Sequence, residues 1–191
     1  MAAPGCRLHG VPVSAARAVV GVLELLSDLL EIMTHDDSEA SDFPGLDCVL
    51  DPFCRVAVYP GPEVPWDSCE VDDCANSDGQ LYAAIQSVAP HPSNTGTAGC
   101  EAWVWTAAVG AVRCMAKPTD DMQFPTVEQV QADAARQAVD ADGIFNAIRC
   151  CAPRVQRLKD AAIVVTTWTP VVDGGCGGGF WTITGRFDVC C

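Results

Sequence analysis

Four cysteines in the first half of the chain are of the type that could hold a metal ion or form disulfides. Cys48, Cys54, Cys69 and Cys74 follow the spacing C-x5-C-x14-C-x4-C. Structural zinc sites favour a Cys-x2-Cys pair on each side of the loop, and both short gaps here are wider than that. Disulfides or reduced thiols therefore fit this spacing better than zinc does. We predict no metal and no cofactor.

The residues that usually carry catalysis are not arranged for it in the sequence. His9, His35 and His91 fall in an N-terminal arm or in predicted loops, and no Gly-x-Ser-x-Gly elbow is present. A Cys–His pair formed in space stays open as an alternative, because such partners are not sequence neighbours. We predict that the chain is not an enzyme, and we assign no catalytic residue.

Two further motifs match binding loops only in part. The glycine-rich run at 174–179 lacks the Gly-Lys-Ser/Thr ending of a phosphate loop, and no predicted helix follows it. It is predicted to be the tip of a β-hairpin. Asn76-Ser77-Asp78-Gly79 resembles part of a calcium loop, but Cys74 and Ile85 occupy the first and twelfth positions, where oxygen ligands are required. A solvated acidic loop is the expected structure there.

Two amphipathic helices are predicted from apolar residues at three- and four-residue steps. The first spans 14–33, with Ser14 as a possible N-cap and an apolar stripe of Val19, Leu23, Leu26, Leu30 and Met33. The second spans 126–151, and its start carries the capping-box pair Thr126 and Gln129. Gly143 is a possible bend. The stripe of this helix consists of Val130, Ala134, Ala138, Ala141, Phe145 and Ile148.

Strands are predicted at 55–59, 81–88, 101–114 and 162–168, and in a final run with Trp181, Ile183, Phe187 and Val189 on one face. Both faces of 101–114 are apolar, which places that strand centrally. The element order predicts an α+β fold, with a mostly antiparallel sheet of about five strands and two main helices on one face. We expect an N-terminal arm at 1–12 and a single domain at 13–191.

The charge balance limits the classes of partner. The chain has 191 residues, with 25 acidic and 11 basic side chains and a formal net charge of −14. Such a surface repels phosphate backbones, so sequence-specific nucleic-acid binding is not expected. Glu24 and Asp28 interrupt the longest apolar stretch, which argues against a membrane span and a signal peptide. We expect folding in a cytoplasm, with the twelve cysteines divided between buried thiols and loop disulfides.

Five runs from about residue 60 to the end of the chain carry a family resemblance through their order and spacing. They are Trp66-Asp67-Ser68-Cys69, Asp78-Gly79-Gln80-Leu81, the stretch 110–114 ending Val112-Arg113-Cys114, Ile148-Arg149-Cys150-Cys151, and Trp168-Thr169-Pro170 followed through Gly174-Gly175-Cys176 by Phe180-Trp181-Thr182-Ile183-Thr184. Together they resemble the tail terminator proteins of long-tailed actinobacterial phages. The chain departs from that pattern at 70–77, where the family tends to be shorter with adjacent cysteines. No cysteine pairing is therefore carried over to Cys69 and Cys74.

The resemblance implies a structural virion protein of the siphovirus neck, assembled in the host cytoplasm. Such proteins cap the tail tube as a ring, usually a hexamer, and later bind the head-completion (stopper) protein. The implied partners are copies of the same chain, the tail tube protein and the stopper, with DNA passing non-specifically through an acidic lumen. Interfaces are expected in the arm, the C-terminal hairpin and the loops 36–51 and 63–79.

Three alternatives stay open from the sequence. One is a head-completion or adaptor protein of the same neck. A second is a secreted binding module held together by disulfides, and a third is a zinc-dependent or thiol enzyme.

Overall fold

The fold is a five-stranded mixed sheet with its helices on one face. A computed structural model describes residues 7–8, 11–34, 50–64, 79–92, 100–116, 118, 123–173 and 175–190. The main elements are α1 (Val13–Thr34), α2 (Val127–Asn146), the short α3 (Gln156–Asp160), and the strands β1 (Arg7–Leu8), β2 (Val11–Pro12), β3 (Arg55–Tyr59), β4 (Gln80–Pro90), β5 (Cys100–Cys114), β6 (Val164–Asp173) and β7 (Cys176–Cys190). A π-helical turn (Ala147–Cys151) and a 3₁₀ turn (Ala152–Arg154) follow α2.

The sheet has the strand order β3-β4-β5-β7-β6, and every pair except β3–β4 is antiparallel. The long strands β5 and β7 form its centre, with Trp103 opposite Phe187 towards one end and Cys114 opposite Cys176 at the other. The predicted α+β fold with a mostly antiparallel sheet is confirmed. The parallel β3–β4 pair was not predicted, because strand direction has no sequence pattern of its own.

Both helices pack on the same sheet face, as predicted. Alternate residues of β5, including Trp105, Ala107 and Val109, point into one core that also contains α1 and the end of α2. The buried residues of α1 are Ala18, Val22, Leu25, Leu26, Leu29, Leu30 and Met33. The α1 stripe is therefore wider than the predicted one, because the helix lies flat along the sheet.

The glycine-rich run is not a hairpin tip over its whole length, and that prediction was wrong. Strand β6 ends at Asp173 and β7 already begins at Cys176, and Gly175 just before β7 is in a turn with φ = 87°. Gly178 and Gly179 are strand residues because their neighbours come too close for a side chain. A Cβ on Gly178 would lie 2.0 Å from the Ala111 carbonyl oxygen, and one on Gly179 would lie 2.5 Å from the Trp168 ring.

Several predicted boundaries also differ from the structure. Helix α1 begins at Val13, so Ser14 lies inside its first turn. Strand β6 continues through Pro170, which is tolerated because β6 is an edge strand. Helix α2 passes through Gly143 without ending, and a Cβ there would meet the Leu50 side chain at 2.4 Å. The predicted N-terminal arm contains the short β1–β2 ladder. The sequence does not predict α3, because a helix of five residues is too short to show a periodic pattern.

Candidate assembly surface

The cysteines are distributed between disulfides and thiols. Cys54, Cys100, Cys151 and Cys176 are disulfide-bonded, whereas Cys150 is a free thiol. Because the sulfur of Cys54 is in a disulfide, it cannot serve as a thiolate ligand for the zinc site considered above. The other three cysteines of that set lie outside the described residues. The vicinal pair Cys150-Cys151 is thus split, since one sulfur is cross-linked and the other is not.

The remaining sequence candidates have no shared location in the described chain. Within the described ranges no group of three or more His, Cys, Asp or Glu side chains is placed to hold a metal ion. His91 follows β4, and its backbone N–H donates to the Ala102 carbonyl. His9, His35, the partial calcium loop and most of the two acidic loops lie outside the described residues. No helix of the described chain is long and apolar enough to cross a membrane.

Helix α2 begins with the predicted capping box. The Gln129 backbone N–H donates to Thr126 Oγ1 at 3.3 Å, and the Thr126 backbone N–H donates to Gln129 Oε1 at 2.8 Å. Glu128 in the same turn is exposed. Hydrogen bonds from its own backbone N–H and from the Thr126 hydroxyl lower the pKa of its carboxyl. The capping box therefore fixes the position at which α2 begins, and Glu128 places a negative charge in its first turn.

Polar contacts to the sheet hold α2 from its middle onwards. The Ala116 backbone N–H donates to Asp133 Oδ2 at 2.8 Å. Two helical turns further into the sheet, Arg113 Nε donates to Asp140 Oδ2 at 2.7 Å, with both side chains buried. The Trp181 indole N–H donates to the Ala141 carbonyl at 2.8 Å. These bonds fix the position of the helix across the ends of β5 and β7.

Aromatic packing completes the attachment of the C-terminal half of α2. The ring of Trp181 on β7 lies 5.0 Å from Phe145 on α2 and 5.5 Å from Trp168 on β6. Such tilted pairs are worth about 0.5–1.5 kcal/mol each beyond the area that they bury. Arg113, Trp168 and Trp181 belong to the runs that carry the resemblance, so part of that pattern serves to hold α2 on the sheet.

The N-terminal half of α2 leaves its apolar residues in solvent. We define the exposed stripe as Phe124, Val127, Val130, Ala134 and Ala138. Phe124 is 81% exposed, Val127 67% and Val130 51%, and both alanines are also exposed. The four helical members recur at three- and four-residue steps, so they form one face. That face continues the row through Ala141 and Phe145 that packs on Trp181.

The exposed stripe is the feature that sequence reasoning missed. The spacing predicts Val130, Ala134 and Ala138 as part of the apolar stripe of a helix on one face of the sheet, but in the structure these three residues are exposed. A periodic pattern shows that a face is apolar but not which surface covers it. The low apolar content of the first two turns, in which Glu128, Gln129 and Gln131 outnumber the valines, was the available clue.

Three acidic segments of the chain join the described structure at the end of the sheet where α2 begins. The stretches 35–49, 65–78 and 119–122 contain twelve of the 25 acidic residues and neither Lys nor Arg. Described residues at their junctions lie at one end of the sheet. The Leu50 backbone N–H donates to Met33, that of Cys54 to Gly79, and that of Met115 to Gly175. The end at which α2 begins is therefore also the end from which the acidic segments leave.

No protein-family model matches the sequence, and no curated protein matches it either. The functional argument therefore depends on the chain's own residues.

Proposed function

We propose that the chain is a structural virion protein, a tail terminator that caps the tail tube as a ring of six copies. In this role it joins the tail to the head-completion proteins of the neck. The observation that carries the proposal is the exposed stripe of α2, an apolar helix face that lies in solvent in the described part of the chain. The assignment to a phage tail comes from the resemblance of the five runs.

An exposed apolar face of this kind favours assembly. Single exposed apolar residues are ordinary on a protein surface, but a contiguous row marks an interaction site. Here the row lies on one helix face, and its first member is a phenylalanine that is 81% exposed. A ring needs one patch and a different, complementary patch on every copy, and a rigid projecting helix supplies the first of these.

The charge distribution also suits a ring through which DNA passes. Each copy contributes a formal charge of −14, and twelve of the acidic residues lie in three segments attached near one end of the sheet. An acidic channel repels the phosphate backbone and lets DNA slide without holding it. This arrangement opposes a role as a sequence-specific DNA-binding protein.

Tube assembly in vitro tests the proposal. The tail tube protein of the same virus is polymerised with and without this protein, and the products are examined by negative-stain electron microscopy with the added protein gold-labelled. We expect label at one end of each tube, as a single ring, and no further growth from that end. Label along the tube wall, or no association with tubes, would contradict the proposal. A ring of twelve that binds head-side proteins but not tubes would instead identify an adaptor.

A further inference from the structure

A thiol and a disulfide lie opposite each other at one end of the sheet. Cys114 is the last residue of β5 and Cys176 is the first residue of β7, and the two are direct partners in the antiparallel ladder. Cys176 is disulfide-bonded, whereas Cys114 carries a thiol. The disulfide of Cys176 is therefore made with a different cysteine, although Cys114 is its partner across the ladder.

The two cysteines occupy a position at which opposed side chains come close together. The backbone N–H of Met115 donates to the Gly175 carbonyl at 2.8 Å, so the flanking pair is the hydrogen-bonded one. Hydrogen-bonded and non-hydrogen-bonded pairs alternate along such a ladder, which makes Cys114 and Cys176 a non-hydrogen-bonded pair with Cα atoms about 4.5 Å apart. Opposed side chains also point to the same sheet face. Because a disulfide spans a Cα–Cα distance of roughly 4.4–6.8 Å, these two sulfurs can be joined without separating the strands.

The exposure of the two side chains favours attack from within the chain. Cys176 is 3% exposed, so a dissolved thiol compound has little access to its sulfur. Cys114 is only partly buried. The thiolate is the attacking species in thiol–disulfide exchange, and contact with water allows a thiol to ionise. The neighbouring strand therefore supplies a nucleophile at a disulfide that reagents in solution reach poorly.

The thiol of Cys150 provides a contrast. Cys150 adjoins the disulfide-bonded Cys151 in the sequence. Both residues lie in the π-helical turn, and successive residues of a helix do not face each other. Cys150 is therefore next to a disulfide in the chain without facing it, which makes it a matched control for Cys114.

We propose that Cys114 undergoes thiol–disulfide exchange with the disulfide of Cys176. The Cys114 thiol gives its proton to water and its sulfur attacks that of Cys176. The Cys114–Cys176 bond forms, and the sulfur previously bonded to Cys176 leaves as a thiolate that is protonated by water. One disulfide and one thiol are present before and after, so no oxidant or reductant is consumed.

The exchange gives this end of the sheet two covalent states. In one state the start of β7 is linked to another cysteine of the chain, and in the other it is linked to β5, its neighbour in the ladder. The second state releases the cysteine that Cys176 had held. This switch depends on the chain's own sulfur atoms, so it stands apart from the proposed function in a virion.

Peptide mapping under non-reducing conditions tests the exchange in the full chain. Trypsin leaves Cys114 in the peptide 114–136 and Cys176 in the peptide 160–186, and neither peptide contains another cysteine. A mixture of unlabelled and isotopically heavy protein is incubated without added thiol or oxidant for minutes to hours, the usual period of uncatalysed rearrangement. Thiols are then alkylated before digestion. We expect the two peptides to become linked within single chains, with an equal loss of alkylation at Cys114 and an equal gain at one other cysteine.

Two variants separate the exchange from other sulfur chemistry. Cys114→Ser should abolish the linked pair and leave Cys176 in a single connectivity, whereas Cys150→Ser should leave the yield of the pair unchanged. A Cys176 that is alkylated without reductant, or that keeps one unchanged connectivity in the wild type, would overturn the inference. Linked peptides that join two chains, or that form with a net loss of thiols, would overturn it as well, because they indicate intermolecular reaction or oxidation.

Discussion

Arg113 on β5 and Asp140 on α2 form a two-bond ion pair across the helix–sheet boundary. The bonds measure 2.7 Å from Nε to Oδ2 and 2.9 Å from the terminal nitrogen to Oδ1, and each side chain is 6% exposed. The guanidinium also stacks on the Phe53 ring at 4.0 Å. This pair lies where the buried half of α2 meets the projecting half, so it fixes the direction in which the exposed stripe points.

Asp140→Ala is expected to lower the free energy of unfolding by about 3–5 kcal/mol, because it leaves the Arg113 charge buried without its carboxylate. Urea denaturation followed by tryptophan fluorescence measures this loss. The exposed pair of Arg157 with Glu24 is the control, and Arg157→Ala should cost only about 0–1 kcal/mol. A loss below about 1 kcal/mol for Asp140→Ala would show that the ion pair does not hold the helix.

Thr126→Ala is expected to loosen the first turns of α2 without a large change in global stability. Removing a cap costs about 1 kcal/mol, and residues 127–139 have little packing to compensate for it. Hydrogen–deuterium exchange should become several-fold faster in that stretch alone, by the usual relation of local opening to exchange. Thr167→Ala, at an exposed position of β6, is the matched control. Unchanged exchange at 127–139 would contradict the role of the cap.

Gly185→Ala is expected to destabilise the protein strongly. The added Cβ would lie 2.3 Å from the ring of Trp105, which is fully buried and has no room to move. Overpacking of this kind costs about 1–3 kcal/mol or more. Gly61→Ala is the control, since a Cβ there meets nothing within 4 Å in the described part of the chain. A thermal melt should separate the two variants, and equal melting temperatures would count against the packing of β7 on β5.

Tyr82 is expected to resist ionisation until the protein unfolds. Burial raises the pKa of its hydroxyl above the ordinary value of 10.0, because the phenolate loses hydration. The resulting stability is fully present below pH 10 and is lost as the pH rises above the pKa of the unfolded chain. The difference in phenolate absorbance between the wild type and Tyr82→Phe should appear only together with loss of tertiary structure. A phenolate that forms near pH 10 in the folded protein would contradict the burial.

The sequence predicts the local structure well where neighbouring residues determine it. Residue spacing predicts the capping box at Thr126 and Gln129, and the structure confirms it. It also predicts the apolar stripe of α1 and the shared sheet face of Trp181 and Ile183, which the structure confirms as well. Gly178 and Gly179 were misassigned because glycine serves both turns and close strand packing. Only the distance to Ala111 and Trp168 separates the two uses.

The candidate surface was less predictable than the fold. The periodicity of α2 revealed its apolar face, but the length of β5 and the position of Arg113 determine how much of that face is covered. Contacts of this kind depend on tertiary packing, which a single sequence does not encode in local patterns.

The native mass of the protein across a concentration series, alone and with tail tube protein, tests the central claim most directly. We expect a hexamer, or a monomer that becomes a hexamer when tube protein is added, with Phe124→Ser shifting either transition to higher concentration. A strict monomer that ignores tube protein at every concentration would contradict the account.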